Sequence, residues 1–333
     1  MSRNMSKLKK NPWLNRKSGE VSPRWTTSQM PSQKGRSAII TGTGGLGFEN
    51  ALELARAGGD VIIAGRNPER GADAVARIRG EVPSSSVRFE QIDLGSLESI
   101  EKFAERLRSR QDSLDLLINN AGVMAPPKRR ETSDGFELQF GTNYLSHFVL
   151  TARLLPLLRK GADARVVTLS SIAARGGSID FDDLQSERGY RPMAAYSQSK
   201  LACLMFALEL HRRSEAGNWG ITSLAAHPGI SRTNLLYNGA GPKSAHGVAR
   251  TVLWFLFQPV PQGALPALFA ATSPDARGGR YYGPAKLSET RGAPTDAAIP
   301  KQALDRKAAA RLWEASERLA CVTVSASGAV AKM

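Results

Sequence analysis

Short aliphatic and β-branched runs recur along this chain from Gly35 onward, each separated from the next by enough residues for a helix. They read SAIIT at 37–41, DVIIA at 60–64, VRFEQI at 87–92, LDLLIN at 114–119, ARVVTLS at 164–170, ITSLAA at 221–226 and GRYY at 279–282. Strands spaced this way cannot close as tight hairpins. They need crossover connections, and the crossovers build a parallel sheet with helices on its faces. Helical spacing is predicted for 46–57, 68–80, 96–110, 136–160, 194–214, 246–257 and 302–320. In the last of these, Leu304, Ala308, Leu312, Ala315 and Leu319 form one apolar stripe. The expectation is an α/β fold, a single doubly wound and mostly parallel sheet of seven strands with helices on both faces.

With 333 residues and 41% hydrophobic content the chain can bury a full core. No Pro- or Ser-rich linker divides the body, so the sequence predicts one domain over 35–322, a basic disordered extension over 1–34 and a flexible tail over 323–333. The net charge of +15 is concentrated in that extension, because the first 36 residues hold nine Lys or Arg against the single acid Glu20. The rest is scattered without a basic stripe interleaved with aromatics, which argues against nucleic acid as a partner. Cys203 and Cys321 stand outside any zinc spacing, and His147, His211, His227 and His246 form no metal-binding group. No metal is expected, and the histidines read as packing or loop residues. The N-terminus lacks the apolar core of a signal peptide and no run of about 18 apolar residues occurs, so the expected location is the cytoplasm. Trp254, Phe255 and Phe257 offer buried core, an apolar pocket or a peripheral membrane contact.

The first strand runs into Thr41-Gly42-Thr43-Gly44-Gly45-Leu46-Gly47, which opens the helical stretch LGFENALELARAG. Glycines between a strand and a helix allow a tight turn and let a pyrophosphate approach the free N–H groups of the helix N-terminus. The residues ending the second strand then discriminate between cofactors. An acid there binds the ribose 2′-hydroxyl of NAD, whereas an arginine accommodates the 2′-phosphate of NADP, and this chain has Arg66-Asn67. NADP(H) is therefore expected over NAD(H). Asp93-Leu94 ends the third strand, where the carboxylate could accept the adenine amino group or N-cap the next helix. Asn119-Asn120-Ala121-Gly122 ends the fourth, with amides to stitch strands and small residues to leave room for a ribose.

Beyond the fifth strand stand Ser171 and then Tyr196 and Lys200, within AAYSQSK. Residues four apart on a helix share a face. A lysine ammonium beside a phenol favours the phenolate, and a tyrosine so placed can pass a proton to or from an alcohol near neutral pH. The segment 228–245, rich in Gly, Asn, Pro and Ser after the sixth strand, is a candidate substrate lid extending to about residue 260.

Taken in order, the glycine turn, NNAG at 119–122, Ser171, Tyr196 with Lys200, and HPG at 227–229 leading to Thr233 give a chain that resembles the short-chain dehydrogenase/reductase superfamily over about 35–320. AGRN, NYLSHFVLT and RLWEASERL look like the branch holding retinol-dehydrogenase-like and protochlorophyllide-reductase-like proteins. The resemblance implies a Rossmann-type fold and an NADP-dependent oxidoreductase interconverting an alcohol and a carbonyl. Its substrate would be a small molecule, apolar or bulky. It assigns Tyr196 as general acid/base, Lys200 to the nicotinamide ribose, Ser171 to the reacting oxygen, and Asn143 to a water leading from Lys200 to solvent. Pro228, Gly229 and Thr233 would line the nicotinamide end, while Thr41, Gly42, Gly45, Leu46, Gly47, Arg66, Asn67, Asp93, Leu94, Asn120, Ala121 and Gly122 would hold the rest of the nucleotide. It also implies a homodimer or tetramer joined through the helices at 136–160 and 194–214. The glycine turn is one residue shorter than the family's Thr-Gly-x-x-x-Gly-x-Gly, and the expectation is that Gly42, Gly45 and Gly47 keep their places while Gly44 absorbs the strain. The short turn and the basic tail also prompt an alternative, a non-catalytic NADP(H)-binding sensor or scaffold.

Overall fold

The computed structural model of the chain describes residues 25–231, 258–325 and 327–332. Its central sheet holds β1 (Ser37–Thr41), β2 (Asp60–Gly65), β3 (Ser86–Gln91), β4 (Leu116–Asn119), β5 (Ala164–Leu169), β6 (Ile221–Ala226), β7 (Tyr281–Lys286) and β8 (Arg291–Asp296). Their order across the sheet is β3-β2-β1-β4-β5-β6-β7-β8. The first seven run parallel, and β8 returns antiparallel along β7. The eighth strand corrects the expected count of seven. RGAPTD carries Gly292 and Pro294 and shows no apolar alternation, which an edge strand tolerates because its outer side needs no partner.

Side chains alternate between the two faces. Ile39, Ile62, Leu117, Val166 and Ala225 enter one core with α3 (Leu97–Arg108), α4 (Ser146–Leu158), α5 (Pro192–Gly217) and α7 (Arg306–Leu319). Their neighbours Ile40, Ile63, Ile118, Val167 and Leu224 enter the other, with α1 (Leu46–Arg56), α2 (Pro68–Glu81) and α6 (Val260–Thr272). Burial on both faces explains why these strands read as unbroken apolar runs. Helix α6 has no counterpart among the predicted helices, and the predicted helix at 246–257 lies outside the described residues. Apolar on nearly every side and carrying Pro266 internally, α6 lacks the one-sided pattern by which the other helices are legible.

Two boundaries also shift. Trp25 is buried and meets the ring of Phe269 on α6 edge-on at 5.5 Å, so residues 25–34 belong to the folded body. At the other end β9 (Val322–Val324) pairs antiparallel with β10 (Val330–Lys332), and Arg159 Nη1 donates to the Ser327 carbonyl at 2.7 Å. This hairpin and α7 cover α4 and α5. Tyr144 shares a 2.6 Å hydrogen bond with Ser316, and Trp313 lies edge-on to Phe148 at 4.9 Å and stacks on Phe206 at 6.0 Å. Helix α4 is buried along its whole length except at Pro156. The helices that the resemblance assigns to a subunit interface are thus packed within one chain.

Connections from β1 run to one side of the sheet through β2 and β3, and from β4 to the other. A crevice opens where the order reverses, at the carboxyl ends of β1 and β4.

Candidate functional site

The glycine turn lies at that crevice. Gly42 has φ +98°, and Gly45, which precedes α1, has φ 53° and ψ −126°, a conformation that only glycine adopts without strain. A Cβ on Gly47 would lie 2.3 Å from the Gly42 carbonyl oxygen, whereas one on Gly44 would meet nothing within 4 Å. Gly42 and Gly45 thus take backbone angles that favour glycine, and Gly47 stands where a side chain would collide. Gly45, not Gly44, takes up the unusual backbone angle. Leu46 begins α1, whose N-terminal N–H groups make the turn a site for an anion.

The neighbouring strand ends are less uniform. Arg66 follows β2 with its guanidinium at the surface. Asn67 N-caps α2, its Oδ1 accepting the Arg70 N–H at 2.8 Å. Asp93 Oδ1 accepts from Gly95 N–H at 2.8 Å, and Ser96 rather than Asp93 caps α3, through the Ser99 N–H at 3.2 Å. The capping alternative for Asp93 is thereby corrected. Leu94 is buried in the core.

Thr41 joins β1 to β4. Its Oγ1 accepts the N–H groups of Asn120 and Ala121, each at 2.9 Å, while Asn120 Nδ2 donates to the Thr41 carbonyl at 2.7 Å. With its lone pairs engaged, the Thr41 hydroxyl donates to His147 Nε2 at 2.9 Å. That fixes the tautomer, and His147 Nδ1–H donates to the Asn143 carbonyl at 2.9 Å. Full burial holds the His147 pKa down to about 4, so the imidazole is neutral at physiological pH. A chain of hydrogen bonds thus runs from the glycine turn to Asn143. The sequence reading treats His147 only as packing; its spacing of four from Asn143 was the available signal, while Thr41, 106 residues away, gave none.

Asn143 sits in a π-helical turn (Phe140–Leu145) leading into α4, a form that interrupts regular helical bonding and recurs at functional sites. Its side chain pairs with Val123, accepting the N–H at 2.7 Å and donating to the carbonyl at 2.9 Å, and also donates to Ser199 Oγ at 2.9 Å. Gly122 lets the chain pass here, since a Cβ would lie 2.9 Å from Asn143 Oδ1 and 3.6 Å from Lys200 Nζ. Tyr196 and Lys200 share a face of α5 as predicted, with the Lys200 ammonium 6.0 Å from the Tyr196 ring centroid and donating to the Leu169 carbonyl at 3.0 Å. The two serines after β5 separate by role. Ser170 is buried and donates to the Lys200 carbonyl at 2.7 Å, whereas Ser171 is half-buried and its Oγ accepts the Ala173 N–H at 3.2 Å. Asn143, Ser171, Tyr196 and Lys200 therefore gather beside the crevice holding the glycine turn.

Pro228 and Gly229 follow β6, and Thr233 lies outside the described residues, as does most of the predicted lid (232–257). The two ends of that segment leave the body side by side. Gln258 N–H donates to the Ile230 carbonyl at 2.9 Å, and Gln258 Nε2 to the Pro228 carbonyl at 2.5 Å. Among the described residues no helix is long and apolar enough to cross a membrane, and no group of three His, Cys, Asp or Glu is placed to hold a metal ion.

Comparison with known proteins gives the family. Residues 36–240 match the family described as short chain dehydrogenase. Human retinol dehydrogenase 13 is 40% identical over 291 residues, covering 86% of this chain and 84% of the relative. Mouse polyprenol dehydrogenase is 41% identical over 297 residues, covering 87% and 85%. The crystal structure of an uncharacterized protein from Mycobacterium Paratuberculosis superposes with a TM-score of 0.74 at 38% identity, covering 90% of this chain and 98% of that one. Glycine turn, strand-end amides and Tyr196/Lys200 pair all fall within the matched stretch, and the chain belongs to the short-chain dehydrogenase family of oxidoreductases.

Proposed function

We propose that this protein is an NADP-dependent oxidoreductase that interconverts an apolar, bulky alcohol and its carbonyl compound, with Tyr196 as the general acid/base. The observation that carries the reading is the gathering of Tyr196, Lys200, Ser171 and Asn143 at the crevice where the glycine turn begins α1. The turn suits a dinucleotide: a Cβ on Gly42 or Gly47 would collide with Asn120 or the Gly42 carbonyl, so glycine alone lets the backbone turn this tightly into the N-terminus of α1. Thr41, Gly42, Gly45, Leu46 and Gly47 would hold its pyrophosphate, Arg66 and Asn67 the 2′-phosphate end, Asp93 and Leu94 the adenine, and Asn120, Ala121 and Gly122 the ribose. Arg66 favours NADP because a guanidinium binds phosphate with paired, charge-assisted hydrogen bonds. Pro228 and Gly229 would border the nicotinamide.

The chemistry that NADPH would supply when bound there is a hydride for the carbonyl carbon. Ser171 Oγ donates a hydrogen bond to the carbonyl oxygen, and Tyr196 gives that oxygen its proton as negative charge develops. Lys200, with its Nζ 6.0 Å from the Tyr196 ring centroid, would hold the nicotinamide ribose. Asn143 fixes the Val123 backbone and Ser199, and Ser199 Oγ in turn donates to the Tyr196 carbonyl at 2.8 Å, which holds the start of α5 in place. Oxidation of the alcohol uses the same groups in reverse.

The sensor alternative draws on the short glycine turn. A sensor would need the turn but not Tyr196, Lys200 and Ser171, so catalysis is the reading that uses every residue assembled here. Names of the relatives, retinol and polyprenol dehydrogenase, support an apolar substrate. Tyr196→Phe tests the assignment: with NADPH and a panel of retinaldehyde and long-chain aldehydes, kcat is expected to fall about 10²–10⁴-fold with NADPH binding retained. Undiminished turnover in that variant removes Tyr196 as proton donor.

A further inference from the structure

The turn joining β7 to β8 places three successive non-glycine residues in the left-handed region, Leu287 at φ 50°, Ser288 at 53° and Glu289 at 66°. L-residues adopt this conformation singly and at a cost, and a run of three persists only where the surroundings hold it. Thr290 closes the turn, its N–H donating to the Lys286 and Leu287 carbonyls, each at 3.1 Å, and its hydroxyl to the Leu287 carbonyl at 2.8 Å, and the Glu289 carboxylate, 17% exposed, ties it to the body. Its Oε2 accepts from His227 Nε2 at 2.9 Å and from Arg175 Nη2 at 2.5 Å, and its Oε1 accepts the Ala298 N–H at 2.9 Å. Arg175 Nη1 also reaches the Ser288 carbonyl at 3.4 Å.

Each partner leads to a different part of the site. Arg175 lies in the short helical turn Ile172–Gly176, which starts directly after Ser171. His227 directly follows β6 and precedes Pro228-Gly229. Its Nδ1 accepts the Gly229 N–H at 3.2 Å, so Nε2 carries the proton given to Glu289. The His227 ring lies 5.0 Å from that of Tyr281, whose hydroxyl donates to the Ser171 carbonyl at 3.2 Å. The hairpin itself returns through Thr290, whose carbonyl accepts the Ile230 N–H at 2.9 Å. Glycine is required at both close approaches. A Cβ on Gly229 would lie 2.3 Å from the Thr290 carbonyl oxygen, and one on Gly283 would lie 2.0 Å from His227 Nε2. Burial disfavours the charged form of Glu289, yet the His227 hydrogen bond, the Ala298 N–H and the Arg175 charge outweigh it and hold the carboxyl below its usual range. Burial holds the His227 pKa below its ordinary value against the opposing pull of Glu289.

We propose that Glu289 is a positioning residue, which locks the Ser171 turn through Arg175 and the Pro228-Gly229 turn through His227 and so sets the substrate-side half of the site independently of the phosphate-binding half. Its place is outside every motif that identifies the family here, on a hairpin that joins the two turns at the edge of the sheet. The kinetic part rests on the oxidoreductase reading above; the structural part does not.

The test compares Glu289→Ala, Glu289→Gln and Arg175→Met with the unaltered full chain. Without nucleotide, amide hydrogen exchange in Glu289→Ala is expected to quicken by about tenfold at 171–177 and 227–231 while 37–56 and 116–122 keep their rates. Glu289→Gln, whose amide oxygen can still accept from both partners, keeps most of the protection, and Arg175→Met loosens 171–177 alone. In turnover with NADPH and decanal, Glu289→Ala lowers kcat by about tenfold with the KM for NADPH within about threefold. Unchanged exchange at 171–177 in both Glu289→Ala and Arg175→Met overturns the proposal. So does a uniform rise across the whole sheet in all three variants, which marks a purely structural carboxylate. If the alanine variant does not fold, the glutamine and methionine variants still separate the two arms. Absence of turnover in the unaltered chain with the aldehyde panel refutes the oxidoreductase reading, and the exchange rates still decide the coupling.

Discussion

Acidification should destabilise this protein through His147, by an amount that follows from its burial. In the native state the ring is fully enclosed, accepts from Thr41 and donates to the Asn143 carbonyl, and its pKa is held down to about 4 from 6.5. Protonation would forfeit the Thr41 bond, because Nε2 would then carry a hydrogen facing a hydroxyl already turned toward it. The unfolded chain has no such restriction and takes up the proton as pH falls through about 6.5. Stability from the neutral imidazole is therefore fully present above pH 6.5 and is lost as pH falls toward 4, where the difference amounts to about 3 kcal/mol. Other groups titrate over the same window, including Glu137, whose pKa burial raises, so the comparison must be a difference. Urea unfolding of the unaltered chain and of His147→Asn at pH 7 and pH 4 supplies it. The stability advantage of the unaltered chain should shrink by about 3 kcal/mol between those two values. Parallel stability curves for the two proteins would show that His147 does not carry the linkage.

The glycine turn gives a paired expectation. Gly47→Ala, whose Cβ would fall 2.3 Å from the Gly42 carbonyl, should lose NADPH binding and about 1–3 kcal/mol of stability, while Gly44→Ala, with open space around it, should keep both; fluorescence titration and thermal melts check it, and an equal response of the two positions refutes the geometry. Arg66→Ser should raise the Kd for NADPH about 10–100-fold and leave that for NADH nearly unchanged, as loss of a charged hydrogen-bonding pair requires; parallel weakening of both cofactors would count against the 2′-phosphate contact. Trp313→Ala empties a buried aromatic site between Phe148 and Phe206 and should cost about 3–5 kcal/mol in urea unfolding.

Strands β1, β2, β4, β5 and β6 and the crevice at their carboxyl ends were legible because burial on both faces leaves unbroken apolar runs, and the glycines, Arg66 and Asn120 follow them at fixed local distances. Tyr196 and Lys200 needed only the pitch of a helix. Less legible were features whose cause lies far along the chain. Helix α6 is apolar nearly all round, and β8 shows no alternation and contains Pro294, so neither carries a periodic signal. Assigning Asn67 and Asp93 to the nucleotide could not reveal that the same side chains bond to the Arg70 and Gly95 N–H groups, for a capping residue and a ligand-binding one look alike in sequence. Glu289 reaches His227 across 62 residues from a turn of ordinary composition, and only three dimensions bring them together.

Residues 306–332 close the fold around α4 and α5 without contributing a site residue of their own. During synthesis these residues follow the glycine turn, Tyr196 and Lys200 out of the ribosome. Until they arrive, Phe148, Phe206 and the neighbouring leucines of α4 and α5 have no cover from α7 or the β9–β10 hairpin, a surface prone to self-association. A chain halted before residue 306 would hold every proposed catalytic group yet expose the apolar back of the helices that carry them. Completion of the enzyme is in this sense a late event, governed by the segment that shields its scaffold rather than by the one that does its chemistry.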